Sequence, residues 1–297
     1  MPLAAACLAG ILVGASVVAV RAVTPEVEPA GLAFMRYGGA AFAMLLILFL
    51  WPGLPPFRIA LRDLPVVALL GVMQFAIFYL FFNHGIRYIT ASRAALVISL
   101  IPFVTMSLAA LRGIERLTWR KSLGVALTIA GVATALAPRI VSEGAGEMVW
   151  LGALLVFCSV CTGSSYNVIS PPYLARIPAS SFTAASLAAG SLVLAPFAAA
   201  EGFFAAWPEL SLTGWLCVLF LAGPAGFGSI LLFNWALNRT SPTGVTVFLS
   251  LAPITAVGLG VLLLGEPLSL ELIVGLVLVL AGLYTASRRP TDRAEGV

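Results

Sequence analysis

The sequence predicts an all-α integral membrane protein with ten transmembrane helices, arranged as two inverted five-helix repeats. Three observations predict this fold class: an apolar composition, ten apolar blocks of membrane-spanning length, and an internal duplication. Of the 297 residues, 61% are hydrophobic and only 9% are charged, whereas soluble domains carry about 25% charged residues. The net charge of +4 forms no basic stripe, so we expect a lipid bilayer and no nucleic acid as the partner.

The apolar residues fall into blocks that fit the thickness of a membrane. A helix needs about 20 predominantly apolar residues to cross the hydrocarbon core. Charged, proline-rich and glycine-rich breaks divide the chain into ten such blocks, at residues 3–22, 29–51, 64–83, 91–111, 118–137, 148–168, 179–200, 211–237, 242–264 and 268–287. No lysine or arginine precedes the first block, which therefore predicts a membrane helix rather than a signal peptide.

The basic residues predict how these helices are oriented, because lysine and arginine are enriched in cytoplasmic loops. With the N-terminus in the cytoplasm, eleven of the sixteen basic residues lie on that side and four on the other. Arg36 falls within a span. We therefore predict that both termini are cytoplasmic. We also expect the protein to reside in the inner (plasma) membrane of a bacterium.

The chain also contains two related copies. Shifting it by 151 positions without a gap aligns residues 71–138 with residues 222–289. Shared polar residues and prolines carry this alignment: Asn83 with Asn234, Pro102 with Pro253, and Glu115 with Glu266. Five spans separate equivalent points, so the second copy is expected to be inverted, as in many carriers. We predict a first repeat at residues 1–139 and a second at residues 140–297.

Several stretches of this sequence resemble a known family. They are Tyr88–Leu96, Ser99–Pro102, Ile114–Thr118 and Gly124–Gly131 in the first copy, and Arg239–Thr243, Leu251–Pro253, Gly265–Ser269 and Gly275–Gly282 in the second. These residues resemble the EamA domain of the drug/metabolite transporter superfamily, and among its members the YddG-type amino-acid exporters most. The resemblance implies a carrier of small metabolites. It also implies an arginine early in the second span, which Arg36 matches.

Polar side chains within the predicted spans identify the candidate site, because such groups are costly in lipid and usually face the interior of the bundle. The residues predicted to bind substrate are Arg36, Gln74, Phe78, Tyr79, His84, Ser99, Tyr166, Asn167, Trp235 and Ser250. Gln74, Phe78, Phe81 and Gly85 share one face of a regular helix, which suggests either a wall for an apolar side chain or an ordinary packing stripe. A substrate carboxylate would bind Arg36, His84 or an opened helix N-terminus.

Some of these residues have structural interpretations that remain open. Ser99 and Ser250 precede prolines by three residues, so each hydroxyl suits either a freed backbone carbonyl or a substrate. The repeat-equivalent Asn83 and Asn234 favour a shared structural role at helix ends. Glu115 and Glu266 precede good N-cap residues and are interpreted as elements of the fold.

Two further sequence features bear on mechanism. The glycine-rich stretch from Gly223 to Gly228 contains Pro224 and predicts a loosened helix in the second copy, whereas the equivalent stretch of the first copy lacks the proline. No aspartate or glutamate lies deep within a span, and carriers coupled to a cation usually keep a carboxylate there. The sequence therefore predicts passive or weakly coupled transport.

The alternatives to a carrier have little support in the sequence. An intramembrane enzyme would need a catalytic set within the spans, and His84 has no acidic neighbour in the sequence. A channel would show a filter motif. The four cysteines lie within apolar runs, so we expect packing residues rather than a metal or redox site. We predict an exporter of amino acids with aromatic or large apolar side chains, without a cofactor, as a monomer or homodimer; the alternative is a drug or nucleoside exporter.

Overall fold

The computed structural model describes residues 2–50, 57–114, 119–141, 146–205, 208–237 and 251–287. In the first half of the chain these residues form α1 (Pro2–Val23), α2 (Pro29–Leu50), α3 (Leu64–Gly71), a π-helical segment (Val72–Ile77), α4 (Phe78–Gly85), α5 (Ala91–Ile98), α6 (Ile101–Leu111) and α7 (Trp119–Val141). No β-strand occurs in these described ranges.

The second half follows a similar order of elements. It contains α8 (Gly146–Ile169), the short α9 (Pro171–Leu174), α10 (Ala179–Ala200), α11 (Leu212–Ala222), a second π-helical segment (Gly223–Gly228), α12 (Ser229–Leu237), α13 (Leu251–Leu264) and α14 (Leu270–Ser287). The predicted ninth span, residues 242–264, is described only from Leu251 onward.

The helices have the length and composition that a bilayer requires. Within the described ranges, seven helices are long and apolar enough to cross a membrane, and three shorter apolar helices lie at Ser122–Leu136, Leu251–Leu264 and Leu270–Thr285. The two sets together are compatible with the ten predicted spans. Many large apolar side chains point outward, including Phe49, Phe197 and Leu262, as expected of a surface that contacts lipid. The protein is an all-helical membrane protein.

Helices from the two halves of the chain pack extensively against each other. The helix α2 packs on α10, α4 and α6 pack on α8, α1 packs on α12 and α13, and α7 packs on α14. Small residues permit these close approaches, as is usual between membrane helices. A Cβ atom added at Gly131 would lie 2.6 Å from the carbonyl oxygen of Gly275. The interior of the bundle holds the largest buried side chains, among them Tyr37, Phe75 and Phe82.

Among the described residues, each half contains one π-helical segment, and the two segments occupy equivalent positions. They begin at Val72 and Gly223, which are 151 residues apart, the same offset that aligns the two copies of the sequence. The sequence predicted a loosened helix only in the second copy, because only that copy contains Pro224. The first copy forms its π turn without a proline, so both halves share this irregularity.

Candidate functional site

A cavity lies between helices of the two halves, in the interior of the bundle. It has a volume of about 140 Å³, close to the roughly 150 Å³ of an apolar protein cavity that accepts a benzene-sized guest. Its walls come from α1, α2, the first π-helical segment, α4, α5, α6 and α8, and from the second π-helical segment with α12. The residues that line it include Arg36, Gln74, Phe75, Phe78, Tyr79, Phe82, Gly163, Tyr166 and Asn167.

Six of the ten residues predicted to bind substrate line this cavity: Arg36, Gln74, Phe78, Tyr79, Tyr166 and Asn167. They come from four different helical segments, so the fold brings together residues up to 131 positions apart. Whether they contact a substrate stays a prediction.

The other four predicted residues lie elsewhere. Ser99 lines a separate, smaller cavity of about 60 Å³ beside Pro102 and Pro253. It is the C-cap residue of α5, and its hydroxyl donates to the carbonyl oxygen of Leu96 in that helix. Trp235 lies near Ala6 on α1. Ser250 falls outside the described residues.

His84, the fourth of these residues, lies at the end of α4 rather than in the cavity. Its Nε2 atom is 3.6 Å from Oε1 of Glu201, and its Nδ1 atom lies 2.7 Å from the carbonyl oxygen of Leu80. The expectation that His84 has no acidic neighbour is wrong, because the fold brings to it Glu201, which follows the end of α10 in the other half of the chain. The contacts of His84 therefore lie at the end of α4, and His84 does not line the cavity.

Arg36 is the charged side chain of the cavity wall. It is only 3% exposed, and its guanidinium lies over the rings of Tyr37 and Tyr79 at 5.1 and 4.8 Å from their centroids. Its Nη2 atom donates a long hydrogen bond of 3.4 Å to the carbonyl oxygen of Ala225 in the second π-helical segment. Cation–π contacts of this kind stabilise a desolvated cation by roughly 2 kcal/mol. They supply no counter-charge.

Gln74 and Gly163 shape another part of the wall. The Gln74 amide oxygen is buried and accepts no hydrogen bond from the described residues. A Cβ atom added at Gly163 would lie 2.9 Å from Cε2 of Phe78 and 3.6 Å from the Gln74 oxygen. The absence of a side chain at Gly163 thus leaves room for the Phe78 ring beside the cavity.

The aromatic part of the wall differs from the predicted stripe. Phe75, Phe78, Tyr79 and Phe82 line the cavity, whereas Phe81 does not. On a regular helix Phe75, Phe78, Tyr79 and Phe82 stand at i, i+3, i+4 and i+7 and share one face, which is rotated from the predicted stripe. Sequence reasoning missed Phe75 and Phe82 because it placed the cavity-facing side of the helix nearer to Phe81.

Three glutamates accept hydrogen bonds from backbone N–H groups at helix starts in the opposite half of the chain. Glu266 accepts from Ala91 and Ser92 at the start of α5, and Glu201 accepts from Ala30 and Gly31 at the start of α2. Glu26 accepts from Ser211, the N-cap residue of α11. A carboxylate is favourable at such helix N-termini because the first amides lack helical partners.

The described part of the chain shows no group of three or more potential metal ligands. Cys158 and Cys161, which share a CxxC spacing, are partly buried free thiols on α8.

Asn83 donates to the carbonyl oxygen of Pro29 at the start of α2, a helix-end contact. The polar groups of the bundle interior therefore divide into those that join helices and those, chiefly Arg36 and Gln74, that face the cavity.

A polytopic helical bundle with a cavity between its two halves is an architecture that many membrane carriers share. The EamA-like transporter family matches residues 1–137 and 150–288. The chain therefore belongs to the EamA-like transporter family, and it is a transporter rather than an enzyme.

Individual relatives agree with this membership. An uncharacterised transporter of Archaeoglobus fulgidus is 28% identical over 88% of this chain and 90% of its own length. A probable terminal-alkyne amino-acid exporter of Streptantibioticus cattleyicolor is 30% identical over 78% of this chain and 76% of its own. A solved crystal structure resembles this fold with a TM-score of 0.71 at 19% identity, covering 95% of this chain and 94% of that one.

Proposed function

We propose that this transporter exports amino acids with aromatic or large apolar side chains, by alternating access between its two halves. The observation that carries the proposal is the cavity, which combines an aromatic wall with a polar part formed by Arg36 and Gln74. Its volume of about 140 Å³ suits a group the size of a benzene ring. The relative described as a probable terminal-alkyne amino-acid exporter supports an amino-acid substrate.

The proposed topology follows from the distribution of charge. Both termini would be cytoplasmic, with residues 1–139 and 140–297 as inverted repeats and the protein in a bacterial inner membrane, as a monomer or homodimer. The shared position of the two π-helical segments supports the repeat. Passive or weakly coupled transport is proposed because the described residues lining the cavity include no carboxylate.

A drug or nucleoside exporter is the second candidate within the family. A cavity for lipophilic cations would be expected to carry an acidic residue, whereas the charged residue of this cavity wall is Arg36. A buried cation repels a cationic substrate strongly in a medium of low dielectric constant. The electrostatics of the cavity therefore favour amino acids over cationic drugs.

Counterflow in proteoliposomes tests the proposed function directly. Vesicles preloaded with each member of a panel of amino acids, nucleosides and lipophilic cations are exposed to the same labelled compound outside. We expect exchange of phenylalanine, tryptophan and leucine, and none of the cations. Exchange of a nucleoside or a cation without any amino acid would contradict the proposal.

A matched pair of variants connects the activity to the cavity. Phe78→Ala removes part of the aromatic wall and is expected to reduce phenylalanine exchange about tenfold or more, since burial of a phenylalanine ring contributes roughly 1.5–3 kcal/mol. Phe197→Ala alters a ring that is 48% exposed on the outer surface of α10, and it should leave exchange unchanged. Equal exchange by both variants would remove Phe78 from the site.

A further inference from the structure

Two complementary sets of polar atoms in the cavity wall lack hydrogen-bond partners among the described residues. The Nε and Nη1 atoms of Arg36 are buried and have no acceptor in hydrogen-bond geometry, with the buried, uncharged Tyr37 hydroxyl beside the guanidinium, and the Gln74 amide oxygen is a buried acceptor without a donor. Nearly all buried polar groups in proteins are paired. Donors and an acceptor left over in the same cavity therefore point to a ligand that supplies both an acceptor and a donor.

The charge of Arg36 makes the unpaired donors specific for an anion. In the described part of the chain, no carboxylate lies within ion-pair distance of its guanidinium; the acidic partners found there belong to His84, Arg87 and Arg176. A buried charge that lacks a counter-ion is costly. An anionic group brought by the ligand would remove that cost, and guanidinium groups bind carboxylates through paired hydrogen bonds.

The other side chain considered for a substrate carboxylate, His84, is set apart from this cavity. Its ring contacts Glu201 and the backbone of Leu80 at the end of α4. A substrate held there would not reach the same aromatic wall. Arg36, in contrast, lies over the ring of Tyr79, which is itself part of that wall.

We propose that Arg36 binds the carboxylate of the transported molecule and that the Gln74 amide oxygen accepts a hydrogen bond from its ammonium group. The inference rests on the proposed function and narrows it to zwitterionic α-amino acids. The side chain of the substrate then occupies the aromatic part of the cavity, between Phe75, Phe78 and Phe82. The wall of the cavity holds the fixed positive charge of Arg36, and the carboxylate of the substrate provides the compensating negative charge.

Ligand binding to the purified protein tests this assignment without requiring transport. The shift in thermal unfolding temperature is measured with three probes of one ring size: phenylalanine, 3-phenylpropanoate, which lacks the ammonium, and phenylalaninamide, which lacks the carboxylate. The wild-type protein should bind phenylalanine most tightly, then 3-phenylpropanoate. Phenylalaninamide should bind at least about tenfold more weakly than phenylalanine, because a hydrogen bond to a charged group is lost.

Substitutions at the two residues separate their roles. Arg36→Gln should abolish the preference for the carboxylate-bearing probes, and Arg36→Lys should restore part of it by keeping the charge. Gln74→Leu should reduce the affinity for phenylalanine to that for 3-phenylpropanoate. Arg112→Gln, at an exposed arginine beyond the end of α6, is the control and should bind all three probes as the wild type does.

The outcomes distinguish this inference from the proposed function. If phenylalanine binds Arg36→Gln and the wild type equally, the assignment of Arg36 is wrong while amino-acid export stands. If no amino acid binds but 3-phenylpropanoate binds in an Arg36-dependent way, the inference to zwitterionic substrates is overturned and amino-acid export fails with it. Binding of phenylalaninamide equal to that of phenylalanine by the wild type overturns the carboxylate site directly.

Discussion

Gly163 lines the cavity beside the Phe78 ring, so a side chain added at this position would narrow the cavity. A Cβ atom at this position would lie 2.9 and 3.0 Å from two atoms of the Phe78 ring. Such contacts are too short for carbon atoms, so the ring must move when a methyl group is added. The available direction is towards the cavity, because α8 occupies the other side.

Gly163→Ala is therefore expected to change substrate size selectivity. Exchange of tryptophan should fall by about tenfold relative to leucine, since a misfit of one methyl group in an apolar pocket is worth roughly 1–3 kcal/mol. Counterflow with both amino acids measures this ratio. Gly258→Ala is the control because a Cβ atom there meets nothing within 4 Å; an unchanged ratio in Gly163→Ala would mean that the ring does not limit the site.

Single polar residues of the cavity were predictable, while their partners were not. Arg36, Gln74 and Asn167 are conspicuous because polar groups are rare within apolar spans. The contact between His84 and Glu201 joins residues 117 positions apart, and no local pattern indicates it. Phe82 was missed for a different reason: it shares a regular helical face with Phe75 and Phe78, but the predicted stripe was centred nearer to Phe81.

At the scale of the elements, the second π-helical segment depends on Gly226. A Cβ atom at Gly226 would lie 2.5 Å from the carbonyl oxygen of Leu221, one π turn earlier in the chain. The neighbouring Ala225 supplies the carbonyl oxygen that accepts from Arg36. The geometry of this turn thus positions a backbone group at the cavity wall.

Gly226→Ala should disturb that turn and reduce transport together with stability. Overpacking of this kind typically costs about 1–3 kcal/mol, which a lower unfolding temperature would report, and counterflow should fall in parallel. Gly228→Ala provides a close control, because its Cβ atom would stand 3.5 Å from the nearest atom, an ordinary contact. Equal behaviour of the two variants would show that the turn tolerates a side chain at Gly226.

The sequence predicted most elements well and their irregularities poorly. Apolar length locates the spans, since a bilayer requires about 20 such residues, and α2 and α10 begin where the blocks at residues 29 and 179 begin. The first π-helical segment, in contrast, contains neither glycine nor proline that would reveal it. It packs against α10, where a Cβ atom added at Gly190 would lie 2.6 Å from Cβ of Phe75. We attribute this π turn to tertiary packing, which no local pattern encodes.

At the scale of the whole molecule, the two halves stabilise each other through the glutamates at their helix starts. Glu266 is 9% exposed and accepts from two backbone N–H groups and from the Ser92 hydroxyl of the other half. The sequence indicated a role in the fold for Glu266, but the helix that it caps begins 175 residues earlier. Such a contact follows only from the packing of one half on the other.

Glu266→Ala should destabilise the whole bundle. Buried donors that lose their acceptor cost about 1–3 kcal/mol, so the unfolding temperature in detergent should fall. Glu266→Gln keeps one acceptor oxygen and should lie between the wild type and the alanine variant. Glu209→Ala changes an exposed glutamate and should have no effect; a similar loss in that control would show that the effect of Glu266→Ala is not specific to the cap.

This reciprocal capping has a consequence for biosynthesis. The start of α2 and the start of α5 are completed by Glu201 and Glu266, which the ribosome adds long after those helices have been made. The start of α11, in turn, relies on Glu26, which is made first. The helices α2 and α5 therefore lack these carboxylate caps until the second half of the chain has been made and packed against them. A chain that terminates near its middle would leave these amides without their carboxylate partners.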